Sequence, residues 1–135
     1  MGQPAAKQGD QITAVDTHIV MVPQPPPAPA TPTPLPHPFS GRITGGLSGN
    51  VKIMGKPAAV VGSTADNTPP HLPMAPGVSF QKGPSNKATI QQGSQRVMIN
   101  NKPAARAGDK AMTCNDPADL PAGAVVVPAS TVMIG

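Results

Sequence analysis

Short apolar segments recur along the chain, each three or four residues long. Val51-Lys52-Ile53-Met54, Val97-Met98-Ile99 and Val132-Met133-Ile134 form one series. Arg42-Ile43-Thr44, Ala88-Thr89-Ile90 and Val125-Val126-Val127 form a second. Each member of the second leads through a turn rich in Gly, Asn, Pro or Ser into a member of the first. β-Branched residues bounded by such turn formers read as short strands joined tightly. The pattern therefore predicts three strand–turn–strand units. No apolar run approaches the roughly 18 residues of a membrane-spanning helix.

A repeated word follows each unit. Lys56-Pro57-Ala58-Ala59 precedes Gly62-Ser63, and Lys102-Pro103-Ala104-Ala105-Arg106 precedes Gly108-Asp109. Gln3-Pro4-Ala5-Ala6-Lys7 precedes Gly9-Asp10. In each copy the Gly lies five residues after the Pro. The first copy has no strand before it, and the last strand, Val132-Met133-Ile134-Gly135, has no Pro-Ala-Ala after it. Closure is the simplest inference, with the C-terminal strand completing the N-terminal copy. Internal repetition of this kind sets the whole architecture. The expected fold is all-β, a small pseudo-threefold cone of short strands and Pro/Gly-rich loops, in a single domain over residues 1–135.

Composition narrows the classes. The chain has 20 Pro and 14 Gly, which together with scarce helix formers exclude a helical bundle. Val, Ile, Leu and Phe supply only 25 of 135 residues, a level that signals disorder when net charge is high. Here the net charge is only +4, so a small β fold stabilised by something beyond its core is the better reading. The ten Lys and Arg are scattered singly and there is no Trp or Tyr to stack bases, so no nucleic-acid partner is expected. A lone cysteine, Cys114, excludes an internal disulfide. Met1-Gly2-Gln3-Pro4 does not begin a secretory signal peptide. Residues 23–38 hold nine Pro in sixteen positions. By composition alone that is a linker or an SH3-type ligand. Its place inside the repeat register makes it instead an extended surface loop held without hydrogen bonds.

The chain has three His and one Cys. His18 lies fourteen residues after Pro4, His71 fourteen after Pro57, and Cys114 eleven after Pro103. Each repeat thus places one metal-binding side chain in the loop after its Pro-Ala-Ala, and His37 in the Pro-rich segment is a fourth. Taken singly, His18 and His71 read as turn residues and Cys114 as a small buried hydrophobe. Taken as a set in matching repeat phase, three imidazoles and a thiolate suit a closed tetrahedral Zn²⁺ site of structural type. A core this poor in apolar mass gains from such a staple. With no Glu in the chain, no Glu base could stand beside the metal.

The Pro-Ala-Ala words, with Lys102-Pro103-Ala104-Ala105-Arg106 the full form, resemble the PAAR-repeat family. Asp16-Thr17-His18, Pro36-His37-Pro38-Phe39-Ser40-Gly41, Asn67-Thr68-Pro69-Pro70-His71 and Thr113-Cys114-Asn115-Asp116 share the resemblance, which covers essentially the whole chain. Lys7 and Val60 depart from the word by replacing its Arg. The resemblance implies a sharp tip on the trimeric β-helical spike of a contractile injection system, such as a type VI secretion system or a phage-tail-like particle. It implies one structural Zn²⁺ per chain, held by His18, His37, His71 and Cys114. One copy would cap each spike trimer and meet the target membrane transiently. Assembly would take place in the bacterial cytoplasm, and delivery outside the cell or into the target. The strands carrying Val51, Ile53, Val97, Ile99, Val132 and Ile134 are the expected spike interface, where three quasi-equivalent edges could meet a trimer by strand addition.

Two other classes fit part of the pattern. An adaptor would carry a separate effector on its flank, since no fused C-terminal cargo is expected after the third repeat strand. A metal-dependent hydrolase would need a general base and an open metal position. Asp10 and Asp109 share a turn position where backbone bonding is their natural role, and no G-x-S-x-G word occurs. The chain is therefore not expected to be an enzyme.

Overall fold

A computed structural model describes residues 2–135. Thirteen strands follow in order: β1 (Gln3–Pro4), β2 (Gln11–Val22), β3 (Thr31–Gly45), β4 (Lys52–Ile53), β5 (Lys56–Pro57), β6 (Thr64–Asn67), β7 (Ser79–Phe80), β8 (Lys87–Ile90), β9 (Met98–Ile99), β10 (Lys102–Pro103), β11 (Lys110–Thr113), β12 (Leu120–Val126) and β13 (Met133–Ile134). No helix occurs among the described residues.

The three Pro-Ala-Ala words meet around one axis. The N–H of Ala6 donates to Ala105 O, that of Ala105 to Ala59 O, and that of Ala59 to Ala6 O, each at 3.0 Å. This is a closed ring of three bonds. A second ring surrounds it, with Gln8, Val61 and Ala107 donating to Pro57, Pro103 and Pro4 carbonyls at 2.8–2.9 Å. All six alanines are fully buried. Only a methyl side chain fits where three copies converge. Each word then turns through Gly9, Gly62 or Gly108, at φ of +89, +98 and +87°. That left-handed backbone explains the fixed Gly position.

The residue after each second alanine is matched to its turn. Lys7 pairs with Asp10 at 3.1 Å, and Arg106 with Asp109 at 2.8 Å. In the middle copy Val60 faces Ser63, whose hydroxyl accepts the Val60 N–H at 3.0 Å and donates to Gly46 O at 2.9 Å. The departure from Arg is thus a change of both partners, from an ion pair to an apolar–hydroxyl pair.

The closure expected between the chain's two ends is present: β1 pairs with β13, as β5 pairs with β4 and β10 with β9. Ile53, Ile99 and Ile134 from these strands pack with Ala5, Ala58 and Ala104 in a basal cluster. Expected at an interface, the three isoleucines are 4, 7 and 5% exposed and serve the chain's own core instead. A two-residue strand turns alternate side chains to opposite faces. Met98 and Met133 are therefore exposed, as are Val97 and Val132, while Val51 is half-buried.

Six strands close into a narrow barrel in the order β12-β11-β8-β6-β3-β2, with β12 returning to β2. All neighbours are antiparallel. Its interior holds Ile12, Phe39, Ile43, Ile90 and Val125 with the second alanine of each word. β2 and β3 have 12 and 15 residues against four for β6, β8 and β11. The long pair therefore runs on beyond the others, away from the Pro-Ala-Ala ring, and gives the cone its narrow end.

The proline-rich segment differs from the expected loop. Only residues 23–30 connect strands; residues 31–38 lie in β3, in unbroken register with β2 from Val22↔Thr31 to Val15↔Pro38. Prolines 32, 34, 36 and 38 occupy alternate positions. Ser40, of the same parity, directs its N–H to Asn67 Oδ1 and not to β2. The four missing N–H groups therefore fall on the edge away from β2, and the ladder loses none of its bonds. Period-two proline makes an edge strand that resists pairing with other chains.

Candidate metal centre

The buried side chains of β2 alternate: Ile12, Asp16, His18 and Val20 point inward. His37 faces inward from β3, directly opposite Asp16. His71 follows β6, its backbone N–H held by Asn86 Oδ1 at 2.7 Å. Cys114 follows β11. The loop that carries it is fastened to β2: Asn115 Oδ1 accepts the Thr17 N–H at 2.7 Å, Asp116 Oδ2 accepts the Ile19 N–H at 2.9 Å, and the Asp116 N–H donates to Thr17 O at 2.8 Å. These elements converge at the end of the barrel opposite the Pro-Ala-Ala ring.

One ligand atom each from Asp16, His18, His71 and Cys114 lies within 4.8 Å of the others, and all four residues are buried. His71 Nε2 is 3.0 Å from Asp16 Oδ2, and Cys114 Sγ is 3.5 Å from the same oxygen. Asp16 Oδ1 accepts a 2.6 Å hydrogen bond from the Thr113 hydroxyl. The His37 ring packs against His18 and His71 with centroids 5.4 and 5.6 Å apart. Its nitrogens are turned elsewhere: Nδ1 bonds Leu35 O at 2.9 Å, and Nε2 accepts the Met74 N–H at 3.1 Å. Phe80 closes the outer side, its ring 5.8 and 5.4 Å from those of His18 and His37.

The cluster fits a metal ion by its chemistry. His18 is 1% exposed, yet neither ring nitrogen has a hydrogen-bond partner. Asp116 Oδ2 stands 3.5 Å from Nδ1 but takes its hydrogen bond from Ile19. Two unpaired polar atoms in a closed interior are costly unless something binds them. Imidazole, thiolate and carboxylate together suit a borderline ion such as Zn²⁺. A partly open cavity of about 60 Å³, lined by His18, Cys114, Ser85, Asp116, Lys82 and Asp119, adjoins the cluster, room for an ion together with a few water molecules. Burial lowers the His18 pKa, with His71 adding to the effect and Asp116 opposing it. The shift favours the neutral form of the ring, the form that binds metal. Burial raises the Cys114 pKa, with Asp16 adding to it, so an ion must displace the thiol proton on entry.

Of the residues singled out in the sequence, His18, His71 and Cys114 come together, and His37 forms a wall beside them. Asp16 was missed as a member of the cluster. Its signal was present: two residues before His18 on a strand, it must share that face.

A family model described as the PAAR motif matches residues 36–112 and again residues 80–135. No curated protein matches the chain.

Proposed function

The chain belongs to the PAAR-motif family, and from that premise we propose that it is the structural tip that caps the trimeric β-helical spike of a contractile injection system. The observation that carries this reading is the closed ring of three alanine hydrogen bonds, with three equivalent strands beneath it. One chain thereby offers a threefold base, the symmetry a trimer's end requires. The docking surface on this reading is Met98 and Met133, on strands whose isoleucines help hold the base together, with Val97, Val132 and the half-buried Val51 immediately before those strands. Lys52, Lys56, Arg96 and Lys102 surround it, all exposed.

The opposite end suits entry into a membrane. From Ile19 to Gly41 and from Asn67 to Gln81 the chain has no Asp, Lys or Arg, so the stretch beyond the cluster carries little charge to desolvate, while Lys82 and Asp119 lie beside the cluster itself. A structural metal held by His18, His71, Cys114 and a fourth donor would tie the strands together there, where the barrel is too narrow for a core. The protein would assemble in the bacterial cytoplasm and leave as part of the particle. Among the described residues no helix is long and apolar enough to cross a membrane.

The test is to mix the protein with the trimeric β-helical spike of its own particle and measure the complex by light scattering. One copy per trimer is expected, and Met98→Asp with Met133→Asp should abolish the complex. Absence of binding, or three copies per trimer, would overturn the proposal.

A further inference from the structure

The two ends of the molecule differ in charge. Three ion pairs join Lys7, Arg106 and Lys87 to Asp10, Asp109 and Asp66. Asp16 lies in the buried cluster, and Asp116, Asp119 and Lys82 line the cavity beside it. The remaining cations are Arg42, Lys52, Lys56, Arg96, Lys102 and Lys110, all exposed. Lys52, Lys56 and Lys102 lie on the short strands beneath the Pro-Ala-Ala ring, and Arg96 just before β9. Arg42 donates to Gly9 O at 3.4 Å, and Lys110 is two residues past Gly108, so both stand at turns of the same ring. Among the described residues, then, each Asp outside those three pairs is at or beside the cluster, and each cation outside them except Lys82 is at the ring end.

We infer that the face this base meets is an acidic protein surface, and that its attraction to Lys52, Lys56, Arg96 and Lys102 steers the two together. The inference rests on the spike-docking reading above and names the chemistry of that partner. The four cations take no part in the ion pairs of the chain. Like charges gathered at one end repel one another in the free protein. A partner face of opposite sign relieves that repulsion and raises the rate of encounter, whereas a basic face would add to it. The apolar residues that these cations surround favour a protein over a lipid or a nucleic acid. Val97, Met98, Val132 and Met133 are exposed there, and an apolar centre with a charged rim is the composition of a protein interface. The chain has no Trp or Tyr on which bases could stack.

The charge is unequal around the ring. The β4–β5 pair carries Lys52 and Lys56, and the β9–β10 pair carries Lys102 with Arg96 before it, but the β13–β1 pair carries neither Lys nor Arg. The register identifies the missing member. Lys56 lies opposite Ile53 and Lys102 opposite Ile99, whereas Gln3 lies opposite Ile134. Gln3 is exposed, so a lysine in its place completes the set of three without entering the core. A trimer's three identical acidic edges would then meet three cations in place of two.

The experiment measures association and dissociation rates of the full chain with the spike trimer of its own particle at several salt concentrations. Between about 50 and about 500 mM salt the association rate should fall about tenfold or more, with a smaller change in dissociation. At low salt, Lys52→Gln together with Lys102→Gln should slow association several-fold, and Gln3→Lys should speed it by about two- to threefold. Lys82→Gln, at the other end, should leave the rate unchanged. A rate that varies by less than about twofold over this salt range, or that rises with salt, overturns the inference while the complex itself still forms. So does equal slowing by Lys82→Gln, or no slowing by the paired substitution. A single-stranded oligonucleotide or phosphatidylglycerol vesicles that bind more tightly than the trimer, with the same dependence on Lys52 and Lys102, would assign the base to a polyanion and overturn it as well. If no complex with the trimer forms at any salt concentration, the spike-docking reading fails, a result distinct from a complex that ignores salt.

Discussion

Ile53, Ile99 and Ile134 occupy one position in three repeats, and replacing each by Ala in turn tests whether the ring closes as a unit. Their exposures of 4, 7 and 5% show nearly complete burial in the basal cluster. Ile→Ala removes the equivalent of three methylenes, about 2.4 kcal/mol at about 0.8 kcal/mol each. The void left behind raises the total to about 3–5 kcal/mol. The three costs should be similar, although Ile134 is one residue from the C-terminus. Its strand is held by pairing to Gln3 and Pro4 and by the Ala5 N–H donating to Val132 O at 2.9 Å. A loss of about 3 kcal/mol lowers the melting temperature of a domain this size by roughly 10 °C. With no Trp or Tyr in the chain, calorimetry or far-ultraviolet circular dichroism is the assay, with metal content held constant. If Ile53→Ala and Ile99→Ala cost the expected amount but Ile134→Ala stays within about 0.5 kcal/mol, the range of a surface change, the C-terminal strand does not complete the first repeat.

Ser63→Asp alone should destabilise by about 3 kcal/mol or more, since it buries a carboxylate without a partner; adding Val60→Arg should recover over 1 kcal/mol in a double-mutant denaturation cycle. Gly62→Ala and Gly108→Ala place a methyl group where nothing lies within 4 Å, so each should cost only the left-handed backbone term, about 1–2 kcal/mol by urea denaturation. Removing the metal with a chelator, or making Cys114→Ser, should lower the melting temperature sharply, because binding free energy at a structural site is folding free energy; an unchanged melt in both would contradict a structural role. In the metal-free protein the His18 pKa is lowered below its ordinary 6.5, so the unfolded chain binds more protons between the two values. The stability from that burial is complete above pH 6.5 and is lost as pH falls through the folded value. The raised Cys114 pKa acts oppositely, its contribution being lost only above pH 9.0. A metal-free melt independent of pH between 4 and 7 would contradict the burial of His18.

Much of the fold was legible because repetition is a property of sequence. The three Pro-Ala-Ala words, the Gly five residues after each Pro, and the unpartnered strand at each end specify a closed threefold ring before any coordinate is known. His18, His71 and Cys114 were legible from their phase within the repeats. The chain alone did not decide which face each residue would take. Residues 31–38 are rich enough in proline to suggest a loop, and they form a strand because β2 supplies a partner on the one edge where their N–H groups survive. Ile53, Ile99 and Ile134 could have been surface or core until β1, β5 and β10 paired beside them and set the pleat. Asp16 is one acid among six in the sequence. It joins the buried cluster of His18, His71 and Cys114 only when β11 carries Thr113 and Cys114 onto β2 from about a hundred residues away. Local spacing fixes periodicity and turn chemistry, whereas neighbours brought in from distant sequence decide burial and charge pairing, and with them the ligands.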